Sequence, residues 1–283
     1  MTFAETGLLG AIAGFTIFLG LPVGRLGRLD DRARVALAMF SVGILAFIFV
    51  DVTGHGQEIV DSALSSFKDH KTSFGHVLGL FALLAVGFTA GTAGISAIER
   101  YLRRRTVAPP IAGGEAAAAL ATDDLAKYEF EARRAALRSG MTIAFAIGLH
   151  NFAEGLAIGV SAKTGAIGLA TVLIIGFGLH NATEGFGIVG PLGNVRPSWR
   201  WLLLAGLVGG GPTFVGTIVG YQVHSDPLEL CFYALAGGAI LYVVGEIWTA
   251  VRRYGYRTLG LYFLAFGFLI GVATDLIVTY GGA

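Results

Sequence analysis

Charge is scarce in this chain. Asp, Glu, Lys and Arg make up 14% of its 283 residues, against roughly 25% in an ordinary soluble domain. Cysteine is almost missing: the single Cys231 excludes an internal disulfide. The net charge is +1, so there is no basic footprint for nucleic acid. No GxxxxGK[ST] phosphate loop occurs, which argues against ATP drive within this chain. Between Met1 and Thr6 there is no Lys or Arg, so the first apolar stretch is expected to be a retained span and not a cleaved signal. No histidine falls between His76 and His150, which excludes a His-rich metal-sensing loop there.

Apolar residues are abundant instead, at 54%, and they come in blocks. Val35–Val50, Val77–Ile98, Leu202–Val219 and Leu259–Ile270 carry no Asp, Glu, Lys or Arg. Each is, or extends to, roughly the 20 residues that a helix needs to cross a ~30 Å hydrocarbon core. Glycine is also plentiful, 43 residues, about twice the usual ~7%. Small residues let helices approach closely where lipid supplies no hydrophobic force between them. These features predict an all-α, polytopic membrane helix bundle, residues 1–283 forming one domain. Eight spans are expected, near 6–23, 33–52, 74–98, 140–160, 165–188, 199–221, 228–251 and 258–280.

Lys and Arg sort between the two sides of this layout. Arg25, Arg28, Arg32 and Arg34 follow span 1, and a group from Arg100 to Arg138 follows span 3. Arg196 and Arg200 follow span 5, and Arg252, Arg253 and Arg257 follow span 7. The opposite side has only Lys68, Lys71 and Lys163 of the 20 Lys and Arg. The positive-inside rule then places both termini on the extracytoplasmic side and the loop of about 100–139 in the cytoplasm. Pro109 and Pro110 break that loop, and its Ala-, Glu- and Arg-rich part from Thr122 to Arg138 is expected to be helical.

A near-repeat lies thirty residues apart. Residues 148–155 read GLHNFAEG and residues 178–185 read GLHNATEG. In each copy a histidine stands four residues, and an asparagine three, before a glutamate, so all three share a helix face. His150 lies about ten residues into span 4, or ~15 Å at 1.5 Å per residue, close to the bilayer midplane. A charged residue there costs about 2.5–3.5 kcal/mol on insertion scales, so it needs a partner. No Lys or Arg lies in the apolar part of any span. Two imidazoles and two carboxylates without a buried cationic side chain invite a metal cation. One divalent ion held by His150, Glu154, His180 and Glu184 gives a neutral cluster. Mixed nitrogen and oxygen ligands favour zinc, iron, manganese, cobalt or cadmium, and disfavour Cu(I). The alternatives are a hydrogen-bonded lock between two helices and a proton path through protonated glutamates.

The pair HNFAEG and HNATEGFGIVGP resembles the signature of the ZIP (Zrt/Irt-like) metal transporters. That resemblance implies eight spans, outward termini and a transport site between spans 4 and 5. It makes His150, Glu154, His180 and Glu184 the primary site, with Asn151 and Asn181 helping to form a second site that shares the glutamates. Two departures stand out. Ala153 and Thr183 occupy the usual proline places, which predicts weaker kinks. Span 6 has no acid between Leu202 and Tyr221, which predicts a weak or empty second site. The resemblance also puts polar residues in span 2, and makes Glu246 in span 7 a candidate ligand on the way out.

Asp51, His55 and Glu58 share one face at the outer end of span 2 and are read as a metal-gathering mouth, or as a solvated helix end. Gly209 to Pro212 interrupts the span 6 pattern, which predicts either a broken helix on the transport path or close packing. Asp275 and Glu5 are expected to be solvated. The resulting expectation is a secondary transporter in the plasma (inner) membrane. It would move zinc, or Fe²⁺, Mn²⁺, Co²⁺ or Cd²⁺, towards the cytoplasm, with the metal as substrate and no prosthetic group. A metal channel and an intramembrane metal-dependent hydrolase are the competing classes. HExxH is absent, and four protein ligands would close the open position that a hydrolytic metal needs. The oligomeric state stays open, a homodimer included.

Overall fold

The computed structural model describes residues 1–26, 30–103, 122–163, 167–222 and 225–280. Arg28, Arg104, Arg105, Pro109, Pro110 and His224 lie outside the described residues, as does Ala283. Among the described residues eight long helices follow one another: α1 (Phe3–Arg25), α2 (Asp31–Lys68), α3 (Phe74–Thr89, continued by a π-helical segment Ala90–Gly94 and by Ile95–Arg103), α4 (Thr122–Lys163), α5 (Ile167–Val189), α6 (Trp199–Gln222), α7 (Asp226–Val251) and α8 (Arg257–Tyr280). No strand occurs among the described residues. Seven of these helices are long and apolar enough to cross a membrane, and α5 has the length with 23 residues. The chain is thus a multi-pass membrane bundle.

Local sequence accounts for the helix starts. Thr2 and Glu5 form a reciprocal capping box on α1, with Glu5 Oε2 accepting from the Thr2 N–H at 2.8 Å. Glu5 therefore has a capping role. Asp30 caps α2 by accepting from the Ala33 N–H at 2.8 Å. Two helices outrun their apolar cores. α2 continues to Lys68, well past the expected span of 33–52. The Thr122–Arg138 stretch is helical as expected, and is continuous with span 4 in the 42 residues of α4.

The helices associate in two groups of four. α1, α4, α5 and α6 pack on one another, and α2, α3, α7 and α8 form the other group. The groups meet where α4 lies against α7 and α5 against α2. Within a group, glycines let backbones touch. Gly155 faces the Thr213 carbonyl across α4 and α6, and Gly216 faces the Phe152 carbonyl in return. Gly43 and Gly267 do the same between α2 and α8. Glycines facing across the two groups meet side chains instead: Gly187 lies against Ser41 and Ile247, and Gly190 against Ala38. Large apolar residues such as Leu19, Val86, Leu269 and Ile277 are exposed on the outside of the bundle, as a lipid-facing surface requires.

Pro212 stands inside α6 without breaking it. Proline has no N–H, so the carbonyl of Val208 loses its helical donor. Gly148 of α4 packs against that carbonyl and the proline ring. Close packing, not a broken helix, is what the Gly209–Pro212 run produces.

Candidate metal site

The two motif copies fold as uninterrupted helix, with Ala153 and Thr183 in place of helix-kinking proline. The threonine hydroxyl donates back to the His180 carbonyl at 2.7 Å. Because α4 and α5 belong to the same group, their motif faces meet in its interior. His150, Asn151, Asn181 and Glu184 are fully buried, and Glu154 is 4% exposed.

The chemistry converges on one carboxylate oxygen. Glu154 Oε1 lies 2.6 Å from His180 Nε2 and 2.9 Å from His150 Nε2. Glu184 Oε1 approaches His150 Nε2 from the other side at 3.6 Å. The two imidazole rings are 6.1 Å apart, centroid to centroid. Candidate ligand atoms of His150, His180 and Glu184 lie within 4.8 Å of one another. Several atoms in this cluster are buried with no hydrogen-bond partner: Glu154 Oε2, Glu184 Oε1, Asn151 Oδ1, Asn181 Oδ1 and His150 Nδ1, while His150 Nε2 faces only the two carboxylates. Buried polar groups are normally satisfied, and each exception calls for a reason. Buried donor atoms without protein partners, beside three side chains whose ligand atoms converge, are a setting that suits a cation.

The two asparagines do different work. The Asn151 amide donates to Glu184 Oε2 at 3.1 Å and to the Gly209 carbonyl at 3.0 Å. It holds Glu184 in place and ties the site to α6. The Asn181 amide donates to the Ala13 carbonyl of α1 at 3.2 Å. The repeat in sequence is therefore not a repeat in geometry, and only Asn151 is bonded to a glutamate of the cluster.

A cavity of about 630 Å³ reaches the site between the two helix groups. Glu154 and His180 line it, while His150, Asn151 and Glu184 lie behind them. Its other walls include Asp51 and His55 of α2, Tyr233 of α7 and Asp275 of α8. His55 stacks on Tyr233 with centroids 5.6 Å apart. It stands 3.7 Å from Asp51 and 3.4 Å from Glu58. Asp51, His55 and Glu58 thus form one cluster, but Glu58 points to solvent, its side chain 77% exposed. Asp275, expected to be merely solvated, lines the cavity, as do Glu229 and Tyr233. An acid inside an apolar span was the signal for Asp275; Tyr233 gave none. Glu246 is thirteen residues beyond Tyr233 on the same helix, about 20 Å away at 1.5 Å per residue, and does not line this cavity.

Towards the opposite end the path is filled. Ser41 Oγ donates to the Thr183 carbonyl at 3.2 Å, and Ile188, Leu45, Ala38 and Ile247 belong to one buried apolar cluster. Beyond them Arg34 donates to the Gly193 carbonyl, and Arg25 Nη1 donates to the Pro197 carbonyl at 2.6 Å. The site is open towards one end of the bundle and closed towards the other.

A profile described as ZIP Zinc transporter matches residues 115–245, the stretch that contains both motifs and α6. A protein of Clostridium perfringens named Zinc transporter ZupT is 24% identical, over 96% of this chain and 94% of its own length. One of Corynebacterium glutamicum with the same name is 25% identical, over 91% of this chain and 95% of its own.

Proposed function

We propose that this chain, which belongs to the ZIP zinc-transporter family, moves zinc or a related divalent ion across the plasma membrane towards the cytoplasm, using the α4–α5 cluster as its transport site. One observation carries this reading. A buried set of two imidazoles and two carboxylates, with bare ligand atoms, stands at the end of a cavity open towards one end of the bundle.

The roles follow from position. Asp51 and Asp275 give the mouth a negative lining that concentrates cations, and His55 beside Asp51 adds a nitrogen ligand. Glu154 and His180 meet the ion first, since they form the cavity wall. His150 and Glu184 complete its sphere from behind, and Asn151 orients Glu184. Exchange of water for these ligands leaves the ion and its site neutral overall, which suits a medium that screens charge poorly. Release on the far side requires the Ser41–Ile188 plug and the Arg25 and Arg34 contacts to part. The tightly knit backbones within each group, and the side-chain contacts between groups, favour movement of one group against the other. The family resemblance suggests an elevator-like or rocking form of it. The Lys and Arg distribution supports a cytoplasmic closed end.

A metal with four protein ligands lacks the open position of a hydrolytic centre, which favours transport over catalysis. The test is zinc uptake into proteoliposomes of the purified chain, with orientation fixed by one-sided labelling of single cysteines at positions 253 and 275. Saturable inward flux supports the reading. Flux that rises linearly with zinc favours a channel, and no flux in either orientation overturns it.

A further inference from the structure

The turn between α7 and α8 is the basic part of a long uncharged stretch. From Ile247 to Thr274 the sequence holds Arg252, Arg253 and Arg257, and no Asp, Glu or Lys. A 3-10 segment, Arg252–Tyr254, ends on Gly255, whose φ of 80° lies in the left-handed region, and α8 begins at Arg257. Glycine makes that reversal without steric cost. It also sorts the arginines. Arg253 donates to the Pro191 carbonyl at 3.4 Å. Arg252 and Arg257 line a second cavity, of about 490 Å³, between this turn and α2.

The cavity has an apolar floor and a cationic rim. Val35 and Met39 of α2 and Val251 of α7 are buried residues that line it. Gly255 leaves it open, since nothing lies within 4 Å of where a Cβ would stand. Arg252, Tyr256 and Arg257 are exposed at the rim, and Trp248 lines the wall beside them. Arg32 of α2 joins this side, its guanidinium 5.5 Å from the Tyr256 ring. Asp30 and Asp31 stand at the start of α2 next to Arg32, so α2 adds little net charge. The attraction for an anion comes from the α7–α8 turn.

We infer that this cavity seats an anionic phospholipid, with its phosphate at Arg252 and Arg257 and the upper part of an acyl chain on Val35 and Met39. A guanidinium is weakly hydrated and takes phosphate oxygens in pairs. Basic pockets between membrane helices receive anionic headgroups. Trp248 and Tyr256 beside the arginines mark the headgroup level of a bilayer. A free anion would use the rim and leave the apolar floor to water. A zwitterionic lipid would cover the floor but bring its own cation to the arginines. An anionic lipid matches both surfaces. It bridges α2 to the α7–α8 turn and so ties together three helices of one group. This inference rests on the cavity and holds whatever the metal site carries.

Thermal unfolding of the purified full chain tests it, in neutral detergent doped with phosphatidylglycerol or with phosphatidylcholine at equal mole fraction. The midpoint is expected to stand several degrees higher with phosphatidylglycerol. Arg252→Gln/Arg257→Gln should lose more than half of that gain. Arg100→Gln/Arg200→Gln removes the same charge from exposed positions at the arginine-rich end, outside the cavity lining, and should keep most of it. All four side chains are exposed, so both variants should match the parent in phosphatidylcholine. Glycerol phosphate added to the phosphatidylcholine sample, against sodium chloride at matched ionic strength, should give no rise. No gain with phosphatidylglycerol overturns the inference. An equal loss in the two double variants also overturns it, in favour of diffuse surface charge, and a gain with glycerol phosphate as large as that with the lipid overturns it in favour of a free-anion site.

Discussion

Replacing Glu154 with glutamine keeps the size of the side chain and removes one negative charge from the point where both imidazoles meet. In the native cluster Glu154 Oε1 is within 2.9 Å of both His150 and His180 Nε2. The site is almost wholly buried, so bulk water cannot take over the missing charge. Breaking one side of a buried ionic pair costs about 3–5 kcal/mol. At 1.4 kcal/mol per decade this weakens zinc binding roughly 10²- to 4 × 10³-fold. Thermal shift reads the same quantity. At a free zinc concentration of 100 times the parent dissociation constant, the parent gains about 2.7 kcal/mol. A variant bound 100-fold more weakly gains roughly 0.4 kcal/mol by the same relation. His150→Ala removes a neutral ligand that a water can replace, and Asn151→Ala releases Glu184 from its hydrogen bond. Both should lose about 10–100-fold, the scale for loss of an orienting partner. Calorimetric zinc titration of the four purified proteins decides the matter. The electrostatic argument fails if Glu154→Gln binds within threefold of the parent, or if it binds more tightly than His150→Ala.

Three further outcomes are expected. Zinc affinity should fall as the pH drops from 7.5 to 5.5, because protons compete with the metal for the imidazole nitrogens; titration calorimetry at the two pH values reads it, and a flat profile would remove the histidines from the site. Alanine at Asp51 and His55 together should raise the apparent KM for uptake several-fold with little change in maximal rate, since these residues line the cavity mouth and not the buried cluster; unchanged uptake at low zinc would leave them a solvated helix end. Gly216→Val should lower the unfolding midpoint by many degrees, because any Cβ there meets the Phe152 carbonyl and the Leu156 N–H across α4 and α6; Gly211→Ala, which faces open space on the same helix, should be near neutral and serves as the control.

The sequence alone carried the helical membrane bundle and the placement of each His–Glu pair on one helix face. Apolar blocks near 20 residues leave few choices in a bilayer, because each backbone N–H must be satisfied inside its own helix. The spacing of His150 to Glu154, and of His180 to Glu184, follows from the 3.6-residue turn, so each pair shares a face before any packing is known. The resemblance carried by HNFAEG and HNATEG then pointed to the family. What packing decided is how those faces meet. The motif copies are equivalent in sequence, yet Asn151 bonds to Glu184 and Gly209 while Asn181 bonds to Ala13, because α6 lies beside one copy and α1 beside the other. Tyr233 and Asp275 come to the cavity from α7 and α8, about 50 and about 90 residues beyond the motif, through contacts that no local pattern encodes. Gly209–Pro212 reads locally as a helix break, and the tertiary structure absorbs it by setting Gly148 against the carbonyl that the proline leaves without a donor.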